Sequence, residues 1–404
     1  MSAKVLCFAS AKGGAGKTAL TASVGALLSA LGKRVLLIDT DAATNGLTLL
    51  YIKEVLAKQD RAAQEGTVVR GLFEVDGPES SGFKLPTGVT LIPATYDFVN
   101  TEGYPPETLE ARLVSTLKKS REDYDYILLD AQAGSDPYAC IAMSKRVSDV
   151  VVLVAEYDPM SAAGLERLKG LLRDDLTYSR TWILLNKILP EFAKNFSDFL
   201  EIARYLSPIP WDAEVVRAYA RRRLALDTEN GNAFTIGVLQ TVRGLLGEEI
   251  ENEIKLWTET RAEAIRQPIN VQYSDLEQEL GVILEEKDRA RTEMALADRK
   301  RTWLQLSVGA FVLSVLGLVI GIGRSSISNM FGRSEVLLSI LFVTLGTWAG
   351  LTALLAKLLV PHYTGSRLSE AKLERRRAVI EDQLKKLEVL RAADPESLLR
   401  NHGR

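Results

Sequence analysis

Cysteine is nearly absent from this chain of 404 residues: Cys7 and Cys140 are the two present, and no Cys-x-x-Cys spacing occurs. The pair fits a reducing cytosol, and a cysteine-ligated structural zinc has no support. Excess charge is missing as well. Lys and Arg total 50 against 52 Asp and Glu, a formal net charge of −2, so bulk attraction to nucleic acid is not indicated. What basic clustering there is stays local, at Arg221-Arg222-Arg223 and Arg375-Arg376-Arg377. No N-terminal signal sequence is expected, because the chain opens directly into the apolar run Lys4 to Ala9. Two further stretches, 302–322 and 336–356, contain no Asp, Glu, Lys, Arg or His, which argues against an ion-coupled transporter.

The most informative positive feature is AKGGAGKT, residues 11–18, between that first apolar run and an Ala/Leu-rich stretch that reads as a helix. Gly13, Gly14 and Gly16 let the backbone wrap a polyphosphate, so that loop N–H groups and the helix N-terminus point at the anion. Lys17 would reach the outer phosphates, and the Thr18 hydroxyl would ligate Mg²⁺. The apolar strand Val35 to Ile38 runs into Asp39-Thr40-Asp41. Carboxylates at the C-terminal end of a buried parallel strand lie where open α/β sheets bind ligands.

With Lys12 opening the loop, the pattern is KGGxGKT, the deviant phosphate-binding loop, and it resembles the MinD/ParA group of nucleotide-dependent dimerising ATPases. The resemblance extends over about the first 240 residues. It implies ATP and Mg²⁺ as cofactors, with nucleotide contacts at Gly13, Gly14, Ala15, Gly16, Lys17, Thr18 and Ala19. Lys12 would reach across a homodimer interface to the partner's nucleotide, Asp41 would orient the attacking water, and Asp39 would help to hold Mg²⁺ through water. Here Ala42-Ala43 replace the Pro-Gln that often follows the second Asp. The run Tyr124 to Asp130, with Gly134 beyond it, resembles the group's Walker B strand and γ-phosphate switch. That places Asp130 on Mg²⁺ through water and the Gly134 N–H on the γ-phosphate, with Gln132 where proline is usual. Asn186, ending the strand Thr181 to Leu185, would read the adenine, and Pro210 in Ile209-Pro210-Trp211-Asp212 resembles the loop beside the base.

Strands at 89–93, 150–155 and 181–185 alternate with helical segments. They predict an α/β fold: a doubly wound, mostly parallel sheet of the P-loop NTPase kind over residues 1–250. Beyond it the expectation is a helical linker and stalk (251–301), a transmembrane hairpin (302–360) and a cytoplasmic C-terminal helix (361–404). Each uncharged run of about twenty residues would cross roughly 30 Å of hydrocarbon. Arg299, Lys300 and Arg301 before the first run, with Lys357 and the cations after the second, put both ends inside. The expected location is therefore the inner, cytoplasmic membrane, multi-pass, with the ATPase region in the cytoplasm and the lipid bilayer as an integral partner. Small-residue pairs Gly317/Gly321 and Gly346/Gly350 could pack the two runs together or join protomers. Leu276, Leu280 and Ile283 before the hairpin, and Leu373, Ile380, Leu384 and Leu387 after it, would pair two stalk helices antiparallel. Pro268 breaks the pattern upstream and makes Ala262 to Val271 the expected hinge between the ATPase region and the stalk.

The combined expectation is a membrane-anchored ATPase whose nucleotide-sandwich dimer switches a membrane assembly or an unidentified protein partner. Two alternatives stand beside it: a nucleotide-gated membrane effector, for instance in antiviral defence, and a polysaccharide-type tyrosine autokinase. Against the latter, the order of kinase and spans is reversed and Tyr363 is the sole tyrosine after the second run.

Overall fold

The computed structural model describes residues 2–74, 80–98, 105–189, 203–227, 231–325, 334–359 and 366–401. The chain divides into two compact units, one of Met1–Gln267 with Ala393–Arg404 and one of Pro268–Ala392.

The first unit is built on an eight-stranded sheet: β1 (Lys4–Ser10), β2 (Val35–Thr40), β3 (Phe83–Lys84), β4 (Thr90–Ile92), β5 (Tyr126–Ala133), β6 (Val150–Ala155), β7 (Thr181–Leu185) and β8 (Arg204–Tyr205). Their order across the sheet is β3-β4-β2-β5-β1-β6-β7-β8. The β3–β4 pair is antiparallel, and every other pairing is parallel. Strand positions 5, 7 and 9 of β1 enter one apolar layer, and positions 6 and 8 enter the other, so the period-two alternation feeds two separate cores. Both faces are covered, which is why β1, β2, β5 and β6 read as near-continuous apolar runs. The short β3 and β8 carry too few apolar residues to be visible in the sequence.

Helices α1 (Lys17–Ala30), α2 (Gly46–Leu50), α3 (Ile52–Gln64), α4 (Pro106–Ser120), α5 (Pro137–Met143), α6 (Pro159–Leu171), α7 (Ala213–Ala220) and α8 (Ala233–Leu246) complete the layers. Several begin where chemistry dictates. Asp136 and Asp158 each accept helix N-terminal amides with proline at the next position, and Asp212 and Asn232 cap α7 and α8 in the same way. At the C-terminal end of the chain, α12 (Pro395–Asn401) packs on α8. Gly231 permits this approach, since a Cβ there would lie 1.9 Å from the Leu399 carbonyl oxygen.

Within the second unit, α9 (Glu251–Ser325, which begins in the first unit), α10 (Ser334–Leu359) and α11 (Ser366–Ala392) are long helices. Helices α9 and α11 run antiparallel: Arg376 meets Glu279 at 2.6 Å, Lys287 meets Glu374 at 2.8 Å, and the Arg391 guanidinium lies 4.3 Å from the Tyr273 ring centre. Ile283 and Ile380 are buried. Helix α9 continues through Pro268, and the division between the two units falls at Gln267 and Pro268, within the expected 262–271. A proline removes one helical N–H and crowds one carbonyl, which can bend a long helix without ending it.

The membrane expectation is corrected. Among the described residues, no helix is long and apolar enough to cross a membrane. Part of each run lies outside the described side chains, and Arg333 and Tyr363 lie outside the described residues. The multi-pass assignment, the integral bilayer partner and the inner-membrane location are not supported. The glycines of α10 serve packing within the chain. A Cβ on Gly346 would come 2.8 Å from that of Ser314, and one on Gly350 would come 2.9 Å from the Phe311 ring. The outward faces carry exposed Trp303, Leu313, Trp348 and Leu354.

One buried cation fastens the entry to β7. Arg180 donates to the carbonyls of Met143 and Ser148 at 3.0 and 2.6 Å and to the Ser148 hydroxyl at 2.9 Å. Replacing it with leucine strands those acceptors, each at about 1–3 kcal/mol. Arg180→Leu should therefore lower the unfolding free energy by roughly 2–4 kcal/mol in urea titrations. A loss below about 0.5 kcal/mol would show the network to be dispensable.

Candidate functional site

The loop after β1 enters α1 through two glycines in left-handed backbone conformation, Gly14 at φ 85° and Gly16 at φ 91°. Gly16 is constrained twice over, because a Cβ there would stand 2.4 Å from the Asn186 side-chain nitrogen. Asn186, buried at the end of β7, donates from that nitrogen to the Ala15 carbonyl at 2.8 Å. Lys17, which begins α1, is buried, and Ala19 follows Thr18 in its first turn.

Strand pairing assembles the acidic side. The parallel β2–β5 register sets Asp39 directly opposite Asp130 at the C-terminal edge of the sheet, both fully buried. Burial raises the Asp39 carboxyl above its ordinary range, and the neighbouring Asp130 charge adds to this. Asp130 is also raised, chiefly by burial, against the opposing influence of Lys17 and of the hydrogen bond from Thr18. The Thr18 hydroxyl donates to Asp130 at 2.7 Å. A hydroxyl that donates its one proton keeps acceptor lone pairs, so Thr18 can face a cation while still bonded to Asp130. Asp39 accepts from the Thr48 amide at 2.8 Å, the Thr48 hydroxyl at 2.7 Å and the Asp41 amide at 3.1 Å. These bonds tie α2 to the sheet edge.

Asp41 is buried and closes its own turn. It accepts from the amides of Ala43 and Thr44 at 3.1 and 2.8 Å and from the Thr44 hydroxyl at 2.5 Å. Its Oδ2 takes only the last of these, which leaves acceptor capacity on that oxygen. The Gly134 amide, at φ 100°, donates to the Ser10 carbonyl at 2.9 Å. Gln132 donates to Asp136 at 2.6 Å, bridging the end of β5 to the cap of α5. Pro210 makes a parallel bridge with Ile188, just beyond Asn186.

Lys12 is held by residues that the sequence reading did not single out. Its Nζ lies 2.8 Å from Glu156 and 2.7 Å from Asp158. Burial alone would raise the Asp158 carboxyl, but bonds from Lys12 and Ser161 outweigh it and hold the group down at about 2. Lys187 joins the cluster, 2.9 Å from Glu156 and bonded to the Gly14 carbonyl. Together with Trp211 these residues line a cleft of about 370 Å³. Asp158 carried a legible signal in Asp158-Pro159 opening a helix. Glu156 and Lys187 carried none, because nothing local marks a residue whose partners are 31 or more positions away in the chain.

The loop geometry generates a stability prediction. Gly16→Ala should destabilise by about 1–3 kcal/mol, from left-handed strain plus the clash with Asn186. Adding Asn186→Ala should recover part of that loss in a double-mutant cycle followed by thermal melts. Strict additivity of the two changes would refute the contact.

Comparison with known proteins agrees with this construction. Residues 3–175 match the AAA_31 family model, described as an AAA domain. The chain is 25% identical over 257 residues to an uncharacterized ATP-binding protein of Methanocaldococcus jannaschii, covering 62% of this chain and 92% of that protein. It is also 25% identical over 260 residues to the septum site-determining protein MinD of Bacillus subtilis, again covering 62% and 92%. A solved MinC:MinD cell division protein complex from Aquifex aeolicus is similar at 28% identity and a TM-score of 0.48, covering 61% of this chain and 97% of that one. The glycine loop running into Lys17 and Thr18, the Asp39–Asp130 pair beneath it and the sequence matches point the same way: the chain is similar to the MinD/ParA-like P-loop ATPases.

Proposed function

We propose that the chain binds Mg-ATP between two copies of itself and hydrolyses it to switch its association with a protein partner. The observation that carries this reading is the Thr18–Asp130 hydrogen bond at 2.7 Å directly beside buried Lys17. A hydroxyl, a carboxylate and an ammonium group at the mouth of a glycine loop supply one metal ligand, one group to order the metal's waters and one cation for the outer phosphates. Mg²⁺ keeps several waters and takes few protein ligands, so Thr18 as direct ligand, with Asp130 and Asp39 acting through water, suits its coordination. Bound Mg²⁺ would offset the mutual repulsion of the two carboxylates.

In this reading the free acceptor site on Asp41 orients the attacking water. The Gly134 amide exchanges the Ser10 carbonyl for the γ-phosphate, and Asn186 with Pro210 frames the adenine. Lys12 has a competing allegiance. To reach a nucleotide held by the other copy it must leave Glu156 and Asp158, so dimerisation exchanges an internal ion pair for an external one.

Lys17→Ala should abolish ATP binding, since each charge-assisted bond to the phosphates contributes about 1.5–3 kcal/mol. Undiminished binding of labelled ATP would exclude the assignment. Asp41→Ala should keep nucleotide and accumulate ATP-bound dimers, whereas Lys12→Ala should bind nucleotide yet dimerise poorly. The double variant Glu156→Gln, Asp158→Asn keeps the helix cap but releases Lys12. It should dimerise at lower protein concentration with ATP, by about threefold to tenfold if the exposed ion pairs of the two copies together hold their Lys12 side chains by roughly 0.65–1.4 kcal/mol. Light scattering and phosphate release measure both effects. If Lys12→Ala dimerised normally with ATP, the cross-dimer reading would fall.

A further inference from the structure

A phosphate-binding loop turns its N–H groups toward the anion. A peptide unit is planar and trans, so each N–H turned inward carries the preceding carbonyl outward. Those outward carbonyls are strong acceptors that need donors of their own. The Ser10 hydroxyl donates to the Lys12 carbonyl at 2.7 Å, Asn186 Nδ2 donates to the Ala15 carbonyl at 2.8 Å, and the Lys187 ammonium donates to the Gly14 carbonyl. The last of these bonds acts on the peptide unit joining Gly14 to Ala15, whose orientation decides where the Ala15 N–H points. That unit has little stiffness of its own. It begins at Gly14, at φ 85°, a residue whose backbone turns over with little steric cost.

Chain geometry delivers Lys187 to this carbonyl. In an extended strand Asn186 and Lys187 would point to opposite faces, yet both side chains reach the same loop. Lys187 adopts φ 59°, in the left-handed region that favours glycine. It follows β7 and precedes the bridge from Ile188 to Pro210, so this conformation is not a helix cap. The turn is fastened on either side, by the Asn186 amide on the Ala155 carbonyl at 2.8 Å and the Ile188 amide on the Ile209 carbonyl at 3.1 Å. A strained backbone that its surroundings hold in place is a mark of a functional position. The Lys187 stem passes Gly16, its Cε 3.9 Å from where a Cβ on that glycine would stand, and Glu156 steadies the ammonium at 2.9 Å.

We propose that Lys187 is a positioning residue for polyphosphate binding: its ammonium holds the Gly14 carbonyl outward and thereby the Ala15 N–H inward, so the loop is set before the anion arrives. The inference rests on the reading of this loop as the nucleotide site, and it adds a residue that the glycine pattern does not contain. Lys17 would meet the phosphates with its own charge. Lys187 acts through the backbone.

The test measures binding to the full chain by isothermal titration calorimetry with two probes, Mg-ATP and inorganic tripolyphosphate with Mg²⁺, which carries the phosphates without a base. Lys187→Met keeps the stem and loses the ammonium. It should weaken both probes by the same factor, about threefold to tenfold, as loss of a charged hydrogen bond does once its partial exposure is discounted. Lys187→Arg keeps charged donors and should restore most of the affinity. Lys187→Gly relieves the left-handed backbone, so its melting temperature should hold or rise while both affinities fall as in Lys187→Met. That combination separates positioning from loss of fold. Unchanged tripolyphosphate affinity in Lys187→Met and Lys187→Gly overturns the proposal, and so does a loss confined to ATP, which would put the side chain on the base. A wild type that binds neither probe overturns the nucleotide-site reading and this proposal with it; where the wild type binds, the variants judge Lys187 alone.

Discussion

Side-by-side burial of Asp39 and Asp130 is the constraint around which the nucleotide-binding unit is organised. Two carboxylates set opposite each other by strand register, in a place water does not reach, repel each other and resist ionisation. The surrounding structure answers each of them. Lys17 and Thr18 arrive from the head of α1 to face Asp130, while Thr48 brings α2 down onto Asp39. The position of both helices is therefore coupled to a charge problem at the edge of the sheet, and a divalent cation is the natural solution to it. A sheet with the same strands slipped by one residue would turn one carboxylate to the opposite layer and remove the reason for the rest.

The loop is braced from the other side as well. Asn186 holds the Ala15 carbonyl and Lys187 the Gly14 carbonyl, so consecutive residues at the end of β7 pin consecutive residues of the loop. Glu156 links Lys187 to Lys12, and Asp158 adds a second hold on Lys12. This network spans the ends of β1, β6 and β7, which are adjacent in the sheet. It converts the separation of those strands into the shape of the loop, so movement of any one of these side chains is felt at the phosphate-binding backbone.

The helical unit shows where reading composition alone goes astray. Uncharged runs at 302–322 and 336–356 resemble spans by length and by the absence of charge, yet among the described residues no helix is long and apolar enough to cross a membrane. In the structure Gly346 and Gly350 receive Ser314 and Phe311 from the facing helix. Pro268 lies inside a helix of 75 residues, and what it coincides with is the division between the two units.

The sequence by itself determined the phosphate-binding loop, the strands of the sheet other than β3 and β8, and the acidic residues at the ends of β2 and β5. Each of these is written in contiguous residues: a glycine spacing, an apolar run, a terminal carboxylate. Tertiary structure alone decided which carboxylates would be neighbours, that Glu156 and Asp158 would hold Lys12, and that Asn186 and Lys187 would brace the loop. Those choices follow from strand order and register, which bring together residues 91 or more positions apart and leave no local trace of the pairing.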